Sequence, residues 1–365
     1  MSAGSSTSGP SVPGARTAGE PRAEVVGAMN GRSVAAPAAP ARPLLEVDRL
    51  RTYFPVRGGV FLTAKAVCKA VDDVSLAIAP GETLGLVGES GCGKSTLAKT
   101  LVRLLKPTGG SVRFEGTDLV PLSRRELKPY RRHLQMIFQD PADSLNSRQS
   151  VGKIVEEPFV VHRIGTAEER RRRVARLLDK VGLPASAAER FPFEFSGGQR
   201  QRIGIARAIA LDPKLVLCDE PVSALDVSIQ SQILNLLLDL QRELGLSYLF
   251  ISHDLAVVKH VSDRIAIMYL GRIVEMGEAD EIYARPLHPY TRILLAAIPE
   301  PDPRKRRRLE VVEGDVPTPI DPPPGCHLHP RCPHAEKRCR VETPALRDVA
   351  APGAPPHWVA CHFDL

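Results

Sequence analysis

Residues Gly88 to Ser95 read Gly-Glu-Ser-Gly-Cys-Gly-Lys-Ser and constrain the fold of this chain more than any other stretch. They fit G-x-x-x-x-G-K-[ST], follow a short apolar strand at 83–87, and open a helix read over 95–105 that closes at Lys106-Pro-Thr-Gly-Gly110. A strand feeding a glycine-rich turn into a helix aims backbone N–H groups and the positive end of a helix dipole at one point, which is a phosphate-binding geometry. Glycine at 88, 91 and 93 leaves room for close approach, Lys94 adds charge, and the Ser95 hydroxyl suits Mg2+. The bland alternative is a glycine-rich turn of no function, but the strand before it and the helix after it favour the phosphate loop.

Such a loop needs a parallel sheet to sit on, and the sequence supplies the parts. Leu215 to Leu217 and Tyr248 to Ile251 are short apolar runs bounded by polar residues, and helical periodicity over 228–244 separates them. That alternation predicts an α/β fold. Ahead of the loop, Leu44 to Val56 and Ala70 to Ala79 alternate as half-buried strands, the second ended by Pro80-Gly81. Residues 1–43 are Ala, Gly, Pro and Ser with almost no large apolar side chains, so a disordered tail is expected there. Residues 44–285 read as one nucleotide-binding domain carrying an inserted helical lobe at about 118–212. Residues 286–365 form an extension rich in proline, histidine and cysteine.

Charge excludes little. Lys and Arg number 49 against 42 Asp and Glu, but the excess is local, in Arg170 to Arg173 and Arg304 to Arg308, which read as solvated faces. No aromatic-studded basic groove accompanies them, so nucleic acid is not an expected partner. No apolar run approaches the ~20 residues that span a bilayer, and no signal-peptide pattern opens the chain, which is read as cytoplasmic.

Several further residues point at the same chemistry. Leu215 to Glu220 places Asp219 and Glu220 at the C-terminal end of a buried strand, where open parallel sheets bind ligands. Asp219 suits a Mg2+ shell through water and Glu220 suits polarising an attacking water, although an acidic pair there also serves as a helix cap. Ser196-Gly-Gly-Gln199 reads as a capping box for a helix running to Leu211. The box explains Ser196 and Gln199 but not Gly197 and Gly198, which imply close approach of backbone to something; capping and anion binding can coexist. His253 follows the Tyr248 to Ile251 strand, and Gln139 sits in Phe138-Gln-Asp-Pro; each is unremarkable alone.

Taken together, these residues resemble the ATP-binding subunit of an ABC transporter over about 44–300. Gly88 to Ser95 is similar to the Walker A loop, Gln139 to the Q-loop, Ser196 to Gln199 to the signature motif and Leu215 to Glu220 to Walker B. Ser223 to Asp226 resembles the D-loop and His253 the switch histidine, while Phe54 takes the place of the aromatic that stacks on adenine. The resemblance implies a P-loop NTPase with a RecA-like core, a β-rich N-terminal subdomain and an inserted helical lobe. It implies ATP held by Phe54, Gln139 and Gly88, Glu89, Ser90, Gly91, Cys92, Gly93, Lys94, Ser95 and Thr96, with Mg2+ on Ser95, Gln139 and Asp219. Glu220 and His253 become the catalytic pair, and Ser196, Gly197, Gly198 and Gln199, with Asp226, act on ATP held by a partner in a head-to-tail dimer.

Phe138 to Asn146, His288 to Leu295 and Pro323 to Pro333 narrow the resemblance to oligopeptide/dipeptide importers, in form the F-type subunit. That implies two transmembrane permease subunits, a D-type paralogue or second copy, a solute-binding protein reached through the complex, and residence at the cytoplasmic membrane face. Related members serve nickel or other small solutes; a soluble non-transport ATPase is the reading from another class. Four of seven cysteines, Cys326, Cys332, Cys339 and Cys361, crowd the tail. Four thiols in a reducing compartment suit a [4Fe-4S] cluster or Zn2+, or stay unliganded, and the resemblance implies the cluster.

Overall fold

The structure, a computed structural model, describes residues 42–58, 63–140, 144–298 and 317–363. Nearly all of the tail expected at 1–43, and the basic run Arg304 to Arg308, lie outside the described residues.

Two sheets carry the described chain. The first is antiparallel, in the order β2-β1-β4-β5, from β1 (Leu45–Gly58), β2 (Thr63–Ile78), β4 (Gly109–Phe114) and β5 (Thr117–Asp118). Leu45 stands opposite both Ile78 and Phe114, and all three are fully buried, so this sheet turns one face onto the core. The second sheet contains β3 (Thr83–Val87), β6 (Leu134–Ile137), β7 (Leu215–Asp219), β8 (Ser247–Ser252), β9 (Arg264–Tyr269) and β10 (Arg272–Glu278). Strands β9-β3-β8-β7-β6 run parallel. Every residue of β3, β7 and β8 is buried, which is why these strands read as continuous apolar runs and not as alternating ones.

Beyond β9 the sheet turns antiparallel. Strand β10 folds back on β9, and two short strands of the C-terminal extension, β11 (Arg347–Asp348) and β12 (Trp358–Val359), complete that edge, with Glu275 opposite Val359 and Met276 opposite Trp358. The extension thus shares the core's own sheet and covers its open edge.

The helical lobe expected from about 118 begins later in the chain. Leu134–Ile137 is strand β6, parallel to β7 in the core sheet, and four residues are too few for a period to declare itself. The lobe proper is built from helices Val151–Val161, Ala167–Lys180 and Gly197–Ile209. Ile154, Val155, Val174, Leu178 and Ile203 face one another in its interior. Thr166 caps the second helix, and the arginine run lies along it: Arg170 Nε donates to Glu156 at 2.7 Å and Arg172 pairs with Glu168.

Candidate functional site

The C-terminal ends of β3, β7 and β8 lie side by side and open into a cavity of about 540 Å3. Phe54, Ser90, Gly91, Gly93, Lys94, Ser95, Thr96, Gln139, Glu220 and His253 all line it, so residues scattered over two hundred positions share one space. Phe54 stands at its wall, 38 % exposed.

The loop's shape depends on glycine at two places. Gly93 has φ +108, and a Cβ there would lie 1.9 Å from the Ala70 carbonyl oxygen. A Cβ on Gly88 would lie 2.2 Å from the Met268 carbonyl oxygen. The helix Lys94–Leu101 starts directly after this turn, with no side-chain cap on its first N–H groups, and that leaves them available to an anion. Lys94 is 5 % exposed; its Nζ donates to Gly88 O at 2.7 Å and Glu89 O at 3.0 Å. The ammonium is therefore held on the loop's own carbonyls, within reach of the space a phosphate would fill.

Ser95, which lines the cavity, donates its hydroxyl to Asp219 Oδ1 at 2.8 Å; Asp219 itself does not line it. Burial pushes the Asp219 carboxyl above its ordinary value and the neighbouring Glu220 adds to this, while the Ser95 hydroxyl and Lys99 pull the other way. Glu220 sits just past the strand at φ 46, a conformation worth roughly 1–3 kcal/mol of strain in a non-glycine residue. Its N–H donates to Ile251 O at 3.0 Å, and its C=O accepts from Ser223 Oγ at 3.1 Å; these bonds hold the turn. The strained turn directs the carboxylate into the cavity, where it accepts from Gln139 Nε2 at 3.1 Å and lies 3.3 Å from His253 Nδ1. Carboxylate, amide and imidazole form one chain around a space open to water, an arrangement able to take a proton from a bound water.

Ser196 and Gln199 make the expected capping box: Ser196 N–H donates to Gln199 Oε1 at 3.0 Å, and Gln199 N–H to Ser196 Oγ at 3.3 Å. The double glycine is answered by packing. A Cβ on Gly198 would lie 2.5 Å from Ile229 Cγ2, and one on Gly197 would lie 3.3 Å from Leu225, so this helix start presses on the helix Val227–Leu244 and the turn before it. Asp226 is the residue preceding that second helix and makes no side-chain cap bond. None of Ser196 to Gln199 lines the Lys94 cavity.

Three residues expected on the nucleotide do not line the cavity: Gly88, Glu89 and Cys92. Gly88 lies in the loop's stem under Met268, and Cys92 is buried with its Sγ 3.9 Å from Lys94 Nζ. Glu89 turns its carboxylate to Arg331 and its N–H to the Tyr290 hydroxyl. Conversely, Cys68, Ala70 and Pro319 line the cavity without any sequence signal pointing there.

The tail cysteines gather but do not close. Cys326 N–H donates to Cys339 O at 2.8 Å. Burial, with the thiols of Cys332, Cys339 and Cys361 as neighbours, pushes the Cys326 thiol up to about 11; burial likewise raises Cys332 and Cys361. Among the described residues, no group of three or more His, Cys, Asp or Glu side chains converges to hold a metal ion.

Comparison with known proteins places these features. The profile described as "ABC transporter" matches residues 71–223, and the one described as "Oligopeptide/dipeptide transporter, C-terminal region" matches residues 274–339. The chain is 54% identical over 320 residues to the probable peptide ABC transporter ATP-binding protein y4tS of Sinorhizobium fredii, covering 87% of this chain and 89% of that one. It is 51% identical over 330 residues to the oligopeptide transport ATP-binding protein AppF of Bacillus subtilis, covering 89% and 99%. Among solved structures, the dimeric ATP-binding cassette MJ0796 with ADP and Pi superposes with a TM-score of 0.58 at 30% identity, covering 64% of this chain and 98% of that one.

Proposed function

Because the chain belongs to the ABC transporter family as one of its ATP-binding subunits, we propose that it hydrolyses ATP to drive import of oligopeptides or dipeptides through separate membrane subunits. One observation carries the ATPase part: Lys94, Ser95, Gln139, Glu220 and His253 line one cavity, and Ser95 is bonded to Asp219 behind it. The peptide part is supported by the match over 274–339 and by relatives whose names describe peptide transport. Nickel or another small solute is the alternative cargo.

In this reading the loop's N–H groups and the start of Lys94–Leu101 hold the phosphates, and Lys94 leaves the Gly88 and Glu89 carbonyls to meet them. Ser95, Gln139 and, through water, Asp219 hold Mg2+, since the set is made of hard oxygen donors. That cation, when bound, neutralises charge on the phosphates. Glu220 takes the proton of the attacking water, His253 lies against Glu220, and Phe54 stacks on the adenine. Ser196 to Gln199 stand clear of this cavity and serve ATP in a head-to-tail partner, a D-type paralogue or second copy. Among the described residues no helix is long and apolar enough to cross a membrane, so the reading assigns the crossing to two permease subunits, with this chain at their cytoplasmic face and a solute-binding protein outside.

The cysteine quartet is proposed to hold a [4Fe-4S] cluster, with Zn2+ as the alternative. Its support is the gathering of four buried or half-buried thiols in mutual electrostatic reach. Anaerobic purification with iron and zinc analysis tests it, and neither metal at near-stoichiometric level ends it. The transport reading is tested in proteoliposomes holding this chain with its candidate permease subunits. ATP-dependent uptake of labelled peptide, stimulated by the cognate binding protein, is expected; recovery of the chain with ribosomes and never with membranes overturns it.

A further inference from the structure

The C-terminal extension is matched, over residues 274–339, by a profile separate from the one that covers the phosphate loop. It nevertheless reaches the phosphate loop. We propose that Arg331 and Tyr290 are positioning residues for ATP: the extension grips Glu89 and thereby sets the loop before nucleotide arrives.

Glu89 is held on both its side chain and its backbone. Arg331 Nη1 donates to Glu89 Oε2 at 3.0 Å and Nη2 to Oε1 at 3.2 Å, a fork-to-fork pair. The Arg331 side chain is 8 % exposed, so the pair is shielded. The Glu89 N–H donates to the Tyr290 hydroxyl at 2.9 Å, and the Tyr290 ring packs on Tyr269 with centroids 4.6 Å apart. Tyr269 in turn offers its hydroxyl to Arg331 Nη1 at 3.4 Å, which closes the group.

Glu89 is the pivot of the loop. It precedes Ser90 and Gly91, which line the cavity, and its carbonyl is one of the two that hold Lys94. The loop that follows contains glycines at φ +81 and +108, residues with much backbone freedom to lose, and a clamp at Glu89 removes part of that freedom in advance. Charge adds a second effect. A carboxylate in a loop meant for a triphosphate repels its ligand, and Arg331 cancels it. The extension meets the site again at Pro319, which lines the cavity while its carbonyl accepts from Lys69 N–H at 3.0 Å.

The inference rests on the reading of Gly88 to Ser95 as the ATP loop. The test uses the full chain, titrated with a fluorescent ATP analogue and Mg2+, and the assembled transporter for steady-state hydrolysis. If Arg331→Met leaves the loop competent about one-tenth of the time, its Kd rises about tenfold. KM for ATP is expected to follow, with kcat at saturating ATP falling less than about twofold, and Arg331→Lys is expected to recover part of the loss. In a Glu89→Ala background, Arg331→Met is expected to do nothing further. An Arg331→Met Kd within about twofold of wild type, or effects of the two substitutions that multiply, overturns the proposal. Should Arg331→Met not fold, Tyr290→Phe, which removes only the hydroxyl, carries the test: a severalfold rise in Kd is expected and an unchanged Kd overturns. Wild type that binds no nucleotide removes the loop reading itself.

Discussion

His288 gives the molecule a calculable response to acid. It is 1 % exposed, stands at the start of the helix Pro289–Ala296, and its Nδ1 accepts the Tyr290 N–H at 3.2 Å. An imidazole used in this way must be neutral at that nitrogen, and a proton there breaks the cap. Burial accordingly lowers its pKa from 6.5 to about 4, against the pull of the Glu275 carboxylate. The unfolded chain binds the proton near 6.5 and the folded chain near about 4, so unfolding takes up a proton between them and stability falls as pH drops through that window. At about 1.4 kcal/mol per pH unit the full loss is about 3 kcal/mol, and about 2 kcal/mol of it is reached by about pH 5. Other groups titrate over the same range, so the comparison is with His288→Asn, whose side chain can accept the same N–H and does not titrate. Urea unfolding of both chains at about pH 7.5 and about pH 5 should show wild type losing about 2 kcal/mol more than the variant. Equal losses would refute the reasoning, because they would mean that His288 is protonated equally in both states.

Other perturbations have equally definite outcomes. Glu220→Gln keeps the Gln139 and Ile251 contacts within reach but removes the base, so nucleotide titration should be unchanged while phosphate release by the assembled transporter falls by ~10²- to 10⁴-fold. Phe54→Ala removes an exposed ring from the cavity wall; nucleotide Kd should rise at least about fivefold, the low end of base-on-aromatic stacking, with no change in the urea midpoint. Gly198→Ala sets a methyl 2.5 Å from Ile229 Cγ2 and should cost about 1–3 kcal/mol of stability by urea unfolding, and Ile229→Ala in the same chain should restore most of it.

What the sequence made legible was whatever is settled by neighbours in the chain. Strands β3, β7 and β8 announce themselves because burial on both faces forces uninterrupted apolar runs, and the Ser196 to Gln199 capping box is a bond between residues three apart. The cavity residues followed because each closes or follows one of those strands or joins them in a resemblance of fixed order. Legibility fails where a contact spans the chain. Strand β12 is two residues long, and its pairing with the distant edge of β10 on one side and with β11 on the other makes it a strand. The double glycine signalled a close approach correctly, but its partner, Ile229, is chosen by how two helices pack.

Glu89 shows where a further signal was available. Its position in the phosphate loop is one of the free ones, so motif chemistry assigns it no role, and counting it among the ATP-binding residues follows from the motif alone. Elementary electrostatics objects: a carboxylate within a loop built to receive a triphosphate raises the cost of binding unless a cation neutralises it. Lys94 is not that cation, because its ammonium is committed to the loop's carbonyls and, in the proposed reading, to the phosphates. A second cation must therefore come from elsewhere in the chain, and it is Arg331, 242 positions away in the region that a separate profile matches. An acid placed against its own site's ligand thus predicts a remote basic partner, and the segment that supplies the partner becomes part of the site.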